Sequence, residues 1–156
     1  MSNILELIEG LKNSDNKKAY QCLKLLENES AISADVYPFF HIFVEMLSNA
    51  NSYIKTRALL LIAANAKWDI DYKIDEIIDT YLKHITDDKP ITSRQCIKAL
   101  PSIAKYKPDL KIDIENALYK ADPTKYKDSM RPLVEKNIQK ALHDIRNLNV
   151  ENTQST

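Results

Sequence analysis

The feature that most constrains the fold of this 156-residue chain is a 37-residue period. Three of its four arginines, Arg57, Arg94 and Arg131, stand 37 residues apart. At twice that interval the segment QCLKLL at 21–26 returns as QCIKAL at 95–100. Such a period is typical of repeat proteins, in which each unit buries its apolar face against a neighbouring unit. We therefore expect a stack of similar units.

Each unit is predicted to be a helical hairpin, because apolar residues recur at spacings of three and four without sustained alternation. Ser33 is expected to be the N-cap of a helix, and Pro38 fits a first turn. The predicted helices cover residues 3–12, 16–29, 38–47, 52–67, 71–85, 90–106, 109–121 and 129–148. They pair into hairpins over residues 3–30, 33–67, 71–106 and 109–148. We expect one domain over 1–148 and a disordered polar tail at 149–156.

Composition excludes several classes of protein. The chain has one glycine, whereas loops that cradle phosphates need several, so nucleotide-binding loops are excluded. Lysine plus arginine and aspartate plus glutamate number 22 each, which argues against a global preference for nucleic acid or anionic membranes. The two cysteines, Cys22 and Cys96, stand far apart and form no zinc or disulfide pattern. No metal or cofactor is expected.

The same features predict a cytoplasmic location. Residues 1–11 include Glu6 and Glu9 and lack the basic start and apolar stretch of a signal peptide. No window approaches 18 uninterrupted apolar residues, the length that indicates a membrane-spanning helix. Two isolated cysteines fit a reducing compartment.

A helical hairpin whose second helix carries an arginine near its start resembles the HEAT repeat. In that family an Asp or Asn precedes the arginine by about six residues, as Asn51 precedes Arg57 and Asp88 precedes Arg94. Arg131 lacks this acidic or amide residue, so the last repeat departs from the pattern. The segments at 51–57 and 84–96 are similar to those of short bacterial HEAT-like proteins. The resemblance implies an all-α, right-handed superhelix of about four hairpins and eight helices.

The arginines are predicted to be structural. Asn51, Arg57, Asp88, Arg94 and Arg131 are expected to form a ladder, in which arginines bond carboxylates or turn carbonyls of their own and adjacent repeats. A direct role in ligand binding is the alternative.

In HEAT-like stacks the even-numbered helices line the concave face, and polar residues there are candidate binding residues. Steps of 37 residues place Asn28, Asn65, Ser102 and Gln139 at one position of every repeat. These side chains are predicted either to hydrogen-bond a peptide backbone or to satisfy one another between helices. Trp68 is either an interface residue or a packing residue. The full set of candidates is Gln21, Lys24, Asn65, Trp68, Gln95, Lys98, Ser102 and Lys105.

No grouping of nucleophile, base and orienting residue is apparent in the sequence, so we do not expect an enzyme. The favoured hypothesis is a protein-interaction or scaffold module that binds an acidic or extended partner segment along its concave face. One alternative is a HEAT-like protein that binds nucleic acid through its lysines. Another is an accessory factor of a cofactor-handling enzyme.

Overall fold

The chain folds entirely into helices and turns over residues 3–154, the part that the computed structural model describes, with side chains described for residues 3–148. The predicted all-α class with eight helices is confirmed over this range. The helices are α1 (Ile4–Gly10), α2 (Asn16–Ile32), α3 (Phe40–Met46), α4 (Ser52–Ala64), α5 (Lys73–Leu82), α6 (Pro90–Tyr106), α7 (Lys111–Lys120) and α8 (Arg131–Gln154). Their arrangement as a right-handed superhelix stays a prediction.

Short polar side chains and prolines explain where several helices begin. Asn3, Asp15 and Asn51 precede α1, α2 and α4, and each accepts a hydrogen bond from a backbone N–H of the first turn. Pro90 occupies the first turn of α6, where its missing N–H costs no helical bond. Ser33 differs from expectation, because it ends α2 by donating its N–H to the carbonyl of Glu29 instead of beginning α3.

The chain divides into two compact units, Met1–Ile74 and Asp75–Thr156. The prediction of a single domain over 1–148 stays a prediction. The backbone of α8 reaches Gln154, whereas the side chains from residue 149 onward lie outside the described part. The predicted disorder of 149–156 therefore concerns residues whose side chains lie outside the described part, and it stays a prediction. Within the described residues, no helix is long and apolar enough to cross a membrane.

The first unit is held together by the close approach of α1 to α2 and by a polar link near its end. A Cβ on Gly10 would collide with Sγ of Cys22, so any larger residue at this position requires the Cys22 side chain to move. The Tyr37 hydroxyl donates to Oδ1 of Asp69 at 2.6 Å. The same carboxylate accepts from the backbone N–H groups of Lys73 and Ile74, both at 2.9 Å, and so fixes the start of α5.

The core of the second unit forms around α6, which packs against α7 and α8. Its buried face includes Cys96, Ile97 and Leu100, each fully inaccessible to solvent. The thiol of Cys96 donates to the carbonyl oxygen of Tyr81 at 3.7 Å. Burial raises the pKa of this thiol well above its usual range, so Cys96 remains protonated and serves as a packing residue.

A carboxylate pair connects α5 to the turn before α7. Lys107, only 5% exposed, places its Nζ 2.7 Å from Oδ1 of Asp75. Burial acts to raise the pKa of Asp75, but hydrogen bonds from Asp109 and Lys107 hold it below its ordinary value. The hydrogen bond with Asp75, followed by burial, raises the pKa of Asp109. The two carboxyl groups therefore favour a state in which Asp109 carries the proton.

Gly10→Ala is expected to destabilise the protein. Alanine is ordinarily the better helix former, but the added methyl group must displace Cys22, and overpacking of this kind costs about 1–3 kcal/mol. Chemical denaturation followed by circular dichroism measures the change. The double variant Gly10→Ala/Cys22→Ala should regain most of the loss, because the smaller side chain makes room. A single variant as stable as the parent would contradict the packing argument.

Asp109→Asn is expected to stabilise the protein at neutral pH. An acid whose folded pKa is raised contributes stability below its unfolded pKa, about 3.9, and loses it as pH rises through the folded pKa. Asparagine removes that loss, and exposure of Asp109 limits the gain to less than about 1 kcal/mol.

The gain from Asp109→Asn should shrink as pH falls through the folded pKa of Asp109 and should vanish below about 4, where the aspartic acid is protonated in both the folded and the unfolded protein. Asp79→Asn, an exposed change on α5, is the matched control. Denaturation midpoints between pH 3 and pH 7 provide the measurement. A gain that is independent of pH would exclude the shared-proton explanation.

Candidate functional site

Asn65 is placed inside the first unit and is fully buried. Its Nδ2 donates to Oγ of Ser30 at 3.2 Å and to the carbonyl oxygen of Leu61 at 2.9 Å. Its Oδ1 has no hydrogen-bond donor among the described residues. The amide thus joins α4 to α2 through Ser30, which is not one of the residues at 37-residue spacing, and its burial makes it inaccessible to a partner.

Trp68 and its neighbour Lys67 close the carboxyl end of α2. The indole Nε1 donates to the carbonyl oxygen of Ser30 at 2.7 Å, and Nζ of Lys67 donates to that of Ala31 at 2.7 Å. The last carbonyls of a helix have no partner within it, and a cation there also complements the helix dipole. These contacts assign Trp68 to packing within the first unit.

Gln21 and Lys24 lie exposed on α2. The Lys24 ammonium lies 3.5 Å from Oε1 of Glu27 and 5.3 Å from the ring centre of Tyr20. The carboxylate of Glu27 is the main cause of the raised pKa of Lys24. Lys24 is therefore accessible, but part of its charge is already compensated on its own helix.

The three in-phase arginines make three different kinds of contact. Arg57 is buried and donates through Nη1 to the carbonyl oxygen of Leu11 at 2.7 Å and through Nη2 to Oδ1 of Asn16 at 3.1 Å. Burial lowers the pKa of its guanidinium. Arg57 thus ties α4 to the turn between α1 and α2, which is the contact expected of a structural ladder.

The contacts of Arg131 remain within its own hairpin. Its Nη2 donates to the carbonyl oxygens of Thr124 at 3.3 Å and Tyr126 at 3.4 Å, and it lies 3.4 Å from Oδ1 of Asp128. Arg94 instead donates through Nε to the amide oxygen of Asn137 on α8 at 2.7 Å. The arginines share a sequence period without sharing a partner.

Asp88 does not act as the turn acceptor that its spacing suggested. Its side chain is 97% exposed and pairs with Lys125 at 3.3 Å. Asp87 is the buried residue of the two, and its Oδ1 accepts from the backbone N–H of Lys89 at 3.0 Å. Asp87 and Asp88 are adjacent in the sequence, so the spacing alone does not show which of them accepts hydrogen bonds in the turn. Burial identifies Asp87.

The candidates of the second unit lie together on one side of α6. Lys98, Ser102 and Lys105 are exposed, and Gln95 is half-buried. Arg94, Lys98, Ser102 and Lys105 follow one another at near-helical spacing, and we refer to these four residues as the α6 stripe. Helix α6 contains no aspartate or glutamate. Arg94, Lys98 and Lys105 have no carboxylate partner among the described side chains.

A cleft of about 180 Å³ borders the α6 stripe, between α6 and α8. Its apolar part consists of Pro101 and Ala141, two small side chains where the helices meet. Its polar rim is formed by Lys98, Asn137, Lys140 and Asp144. Lys140 lies 3.0 Å from Oδ2 of Asp144 on the same helix. Sequence reasoning missed the residues from α8, because no repeat register aligns them with the α6 stripe.

A second, wider cleft of about 390 Å³ lies at the hairpin ends of this unit, between Ile85 and residues 117–125. Lys125 crosses it, with Nζ donating to the carbonyl oxygen of Thr86 at 2.7 Å. The hydroxyl of Tyr126 likewise donates to the carbonyl oxygen of Asp87 at 2.5 Å. Lys125 and Tyr126 thus hold the turns together through these two hydrogen bonds. No cluster of three metal-type ligands occurs among the residues whose side chains are described.

Arg57→Lys should lower the free energy of unfolding by about 1–3 kcal/mol, since a lysine cannot hold both the buried carbonyl oxygen of Leu11 and the exposed side chain of Asn16. Arg131→Lys should cost less than about 1 kcal/mol, because its partners are exposed or only partly buried. Urea denaturation of both variants gives the comparison. Equal losses would mean that the period, and not the buried contact, determines the contribution of these arginines.

No family model, curated protein or solved structure matches this chain.

Proposed function

We propose that this protein is a non-enzymatic interaction module that binds an acidic segment of a partner protein through the α6 stripe. The observation that carries the proposal is the accumulation of uncompensated positive charge beside an apolar cleft. Arg94, Lys98 and Lys105 project from a helix that has no acidic residue.

Charge alone does not account for stable binding. An exposed ion pair contributes only about 0.2–1 kcal/mol, so three such pairs correspond to weak affinity. Burial of apolar surface contributes about 25 cal/mol per Å² and supplies the remainder. The α6 stripe fits an interaction site because cations and an apolar recess occur side by side. The cations would guide the approach of the partner and set its orientation.

The candidates of the first unit contribute less to this proposal. Asn65 and Trp68 are engaged in contacts within that unit, and Lys24 has its own partners. Gln21 and Lys24 remain accessible on α2. The stacking of the hairpins as a HEAT-like superhelix, the concave placement of the α6 stripe and the cytoplasmic location are part of the proposal.

Affinity capture of the tagged protein from an extract of its own organism tests the function. A specific partner should be retained by the parent and by Lys127→Glu, an exposed change outside the α6 stripe. The same partner should be lost with Lys98→Glu, because the reversed charge repels an acidic segment by more than a typical surface pair contributes. Both variants change the net charge equally.

The extract is also treated with nuclease before a parallel capture. Retention of the partner by Lys98→Glu at the parental level would contradict a role for the α6 stripe. Material that disappears with nuclease treatment, and whose binding falls steeply with salt, would favour the nucleic-acid alternative instead.

A further inference from the structure

We infer that the cleft between α6 and α8 holds one aliphatic side chain of an extended acidic segment, whose carboxylates pair with the α6 stripe. This inference rests on the proposed function and specifies the chemistry of its partner. It concerns one surface within the second unit, formed by α6 and α8.

The size of the cleft limits what it accommodates. Pockets for cofactors and drug-sized ligands usually measure about 300–1,000 Å³, whereas this cleft measures about 180 Å³. It is therefore too small for such a ligand and suits a single side chain. The recess exists because Pro101 and Ala141 are small, and a larger residue at either position would fill it. Pro101 and Ala141 form the apolar part of the cleft, which favours an aliphatic group.

The rim of the cleft is predominantly positive. Lys98 has no ion pair among the described residues, and Lys140 shares the one carboxylate present, Asp144. One turn before Lys98, the Nε of Arg94 donates to Asn137, and its two Nη groups have no acceptor among the described residues. Two cations thus line the cleft beside one carboxylate, and a third cation, Arg94, lies one turn away on α6. The complementary occupant has negative charges next to its aliphatic side chain.

The spacing along α6 favours an extended occupant. Arg94, Lys98 and Pro101 succeed one another at intervals of about 6 Å and 4.5 Å, given a helical rise of 1.5 Å per residue. Side chains on one face of an extended chain repeat every two residues, at about 6.6 Å. Acidic residues at two alternate positions therefore approximately match Arg94 and Lys98, and an aliphatic residue close to the second acidic residue can enter the cleft, because Lys98 itself lines it. A nucleic-acid strand has the charges but lacks the aliphatic group.

A synthetic peptide provides the probe. It contains glutamate at its second and fourth positions, leucine at its sixth, serine elsewhere and a fluorescent label. Anisotropy measures its binding to the full-length protein at low salt, and amide chemical shifts locate it. Binding should shift resonances of α6 near Arg94 and Lys98 and of α8 near Lys140. Replacement of the leucine by serine should weaken binding by about tenfold, the equivalent of one lost buried aliphatic side chain.

Two protein variants separate the cleft from the charges. Ala141→Leu fills the recess and should weaken the leucine peptide about tenfold while leaving the serine peptide unchanged. Because Ala141 is buried, circular dichroism checks that this variant folds. Lys98→Glu, an exposed change that spares the core, should weaken both peptides, and Lys127→Glu should weaken neither.

The outcomes distinguish this inference from the function on which it depends. Equal affinity for the leucine and serine peptides, or no binding of either, would overturn the inference. If the partner in the extract is still lost with Lys98→Glu, the interaction function stands without the aliphatic anchor. Binding of a single-stranded oligonucleotide in place of either peptide, at the same resonances, would overturn both proposals.

Discussion

The constraint on which the structure depends is the need to satisfy carbonyl groups at helix ends in a chain with one glycine. Helices commonly end on a glycine in the left-handed conformation, which allows the last carbonyls to be bonded locally. This chain uses side chains from a later hairpin instead. Arg57 donates a hydrogen bond to the carbonyl oxygen of Leu11, and Tyr126 donates one to that of Asp87. Lys67 and Trp68 donate to the last carbonyl oxygens of α2. Each contact joins neighbouring hairpins, so helix termination and tertiary packing are one interaction.

The exposed positive charge of α6 follows from the way in which its opposite face is used in the core. Its buried face donates through Ser93 to the carbonyl oxygen of Ile85 at 2.5 Å and packs Ile97 and Leu100 into the core. Two of its three cations, Lys98 and Lys105, therefore remain on the opposite side, where no carboxylate of the helix competes for them. Arg94 is partly restrained through Asn137, which reduces the conformational entropy that a partner must overcome. A stable core thus produces an accessible and partly ordered positive surface.

Most of the fold and the exposed residues of the α6 stripe could be predicted from the sequence, whereas the cleft beside the stripe could not. The apolar period fixes which face of each helix is buried, so eight helices and the exposure of Lys98 and Lys105 follow directly. It does not reveal which polar residue falls at a seam between helices. Asn65 was expected on an accessible face and is instead buried against Ser30. That outcome depends on how closely two helices approach, which is a tertiary property that a one-dimensional pattern does not encode.

The contribution of α8 was missed for a related reason. A repeat register compares residues at equivalent positions, and Ala141 lies opposite Pro101 at positions that are not equivalent, 40 residues apart. A cleft forms where two small residues on different helices coincide, so it arises from irregularity between repeats. Regular positions are occupied by the residues that every hairpin needs for stacking. In repeat proteins the positions that escape the period are therefore free to specify a partner, and here they are the apolar recess and Lys140.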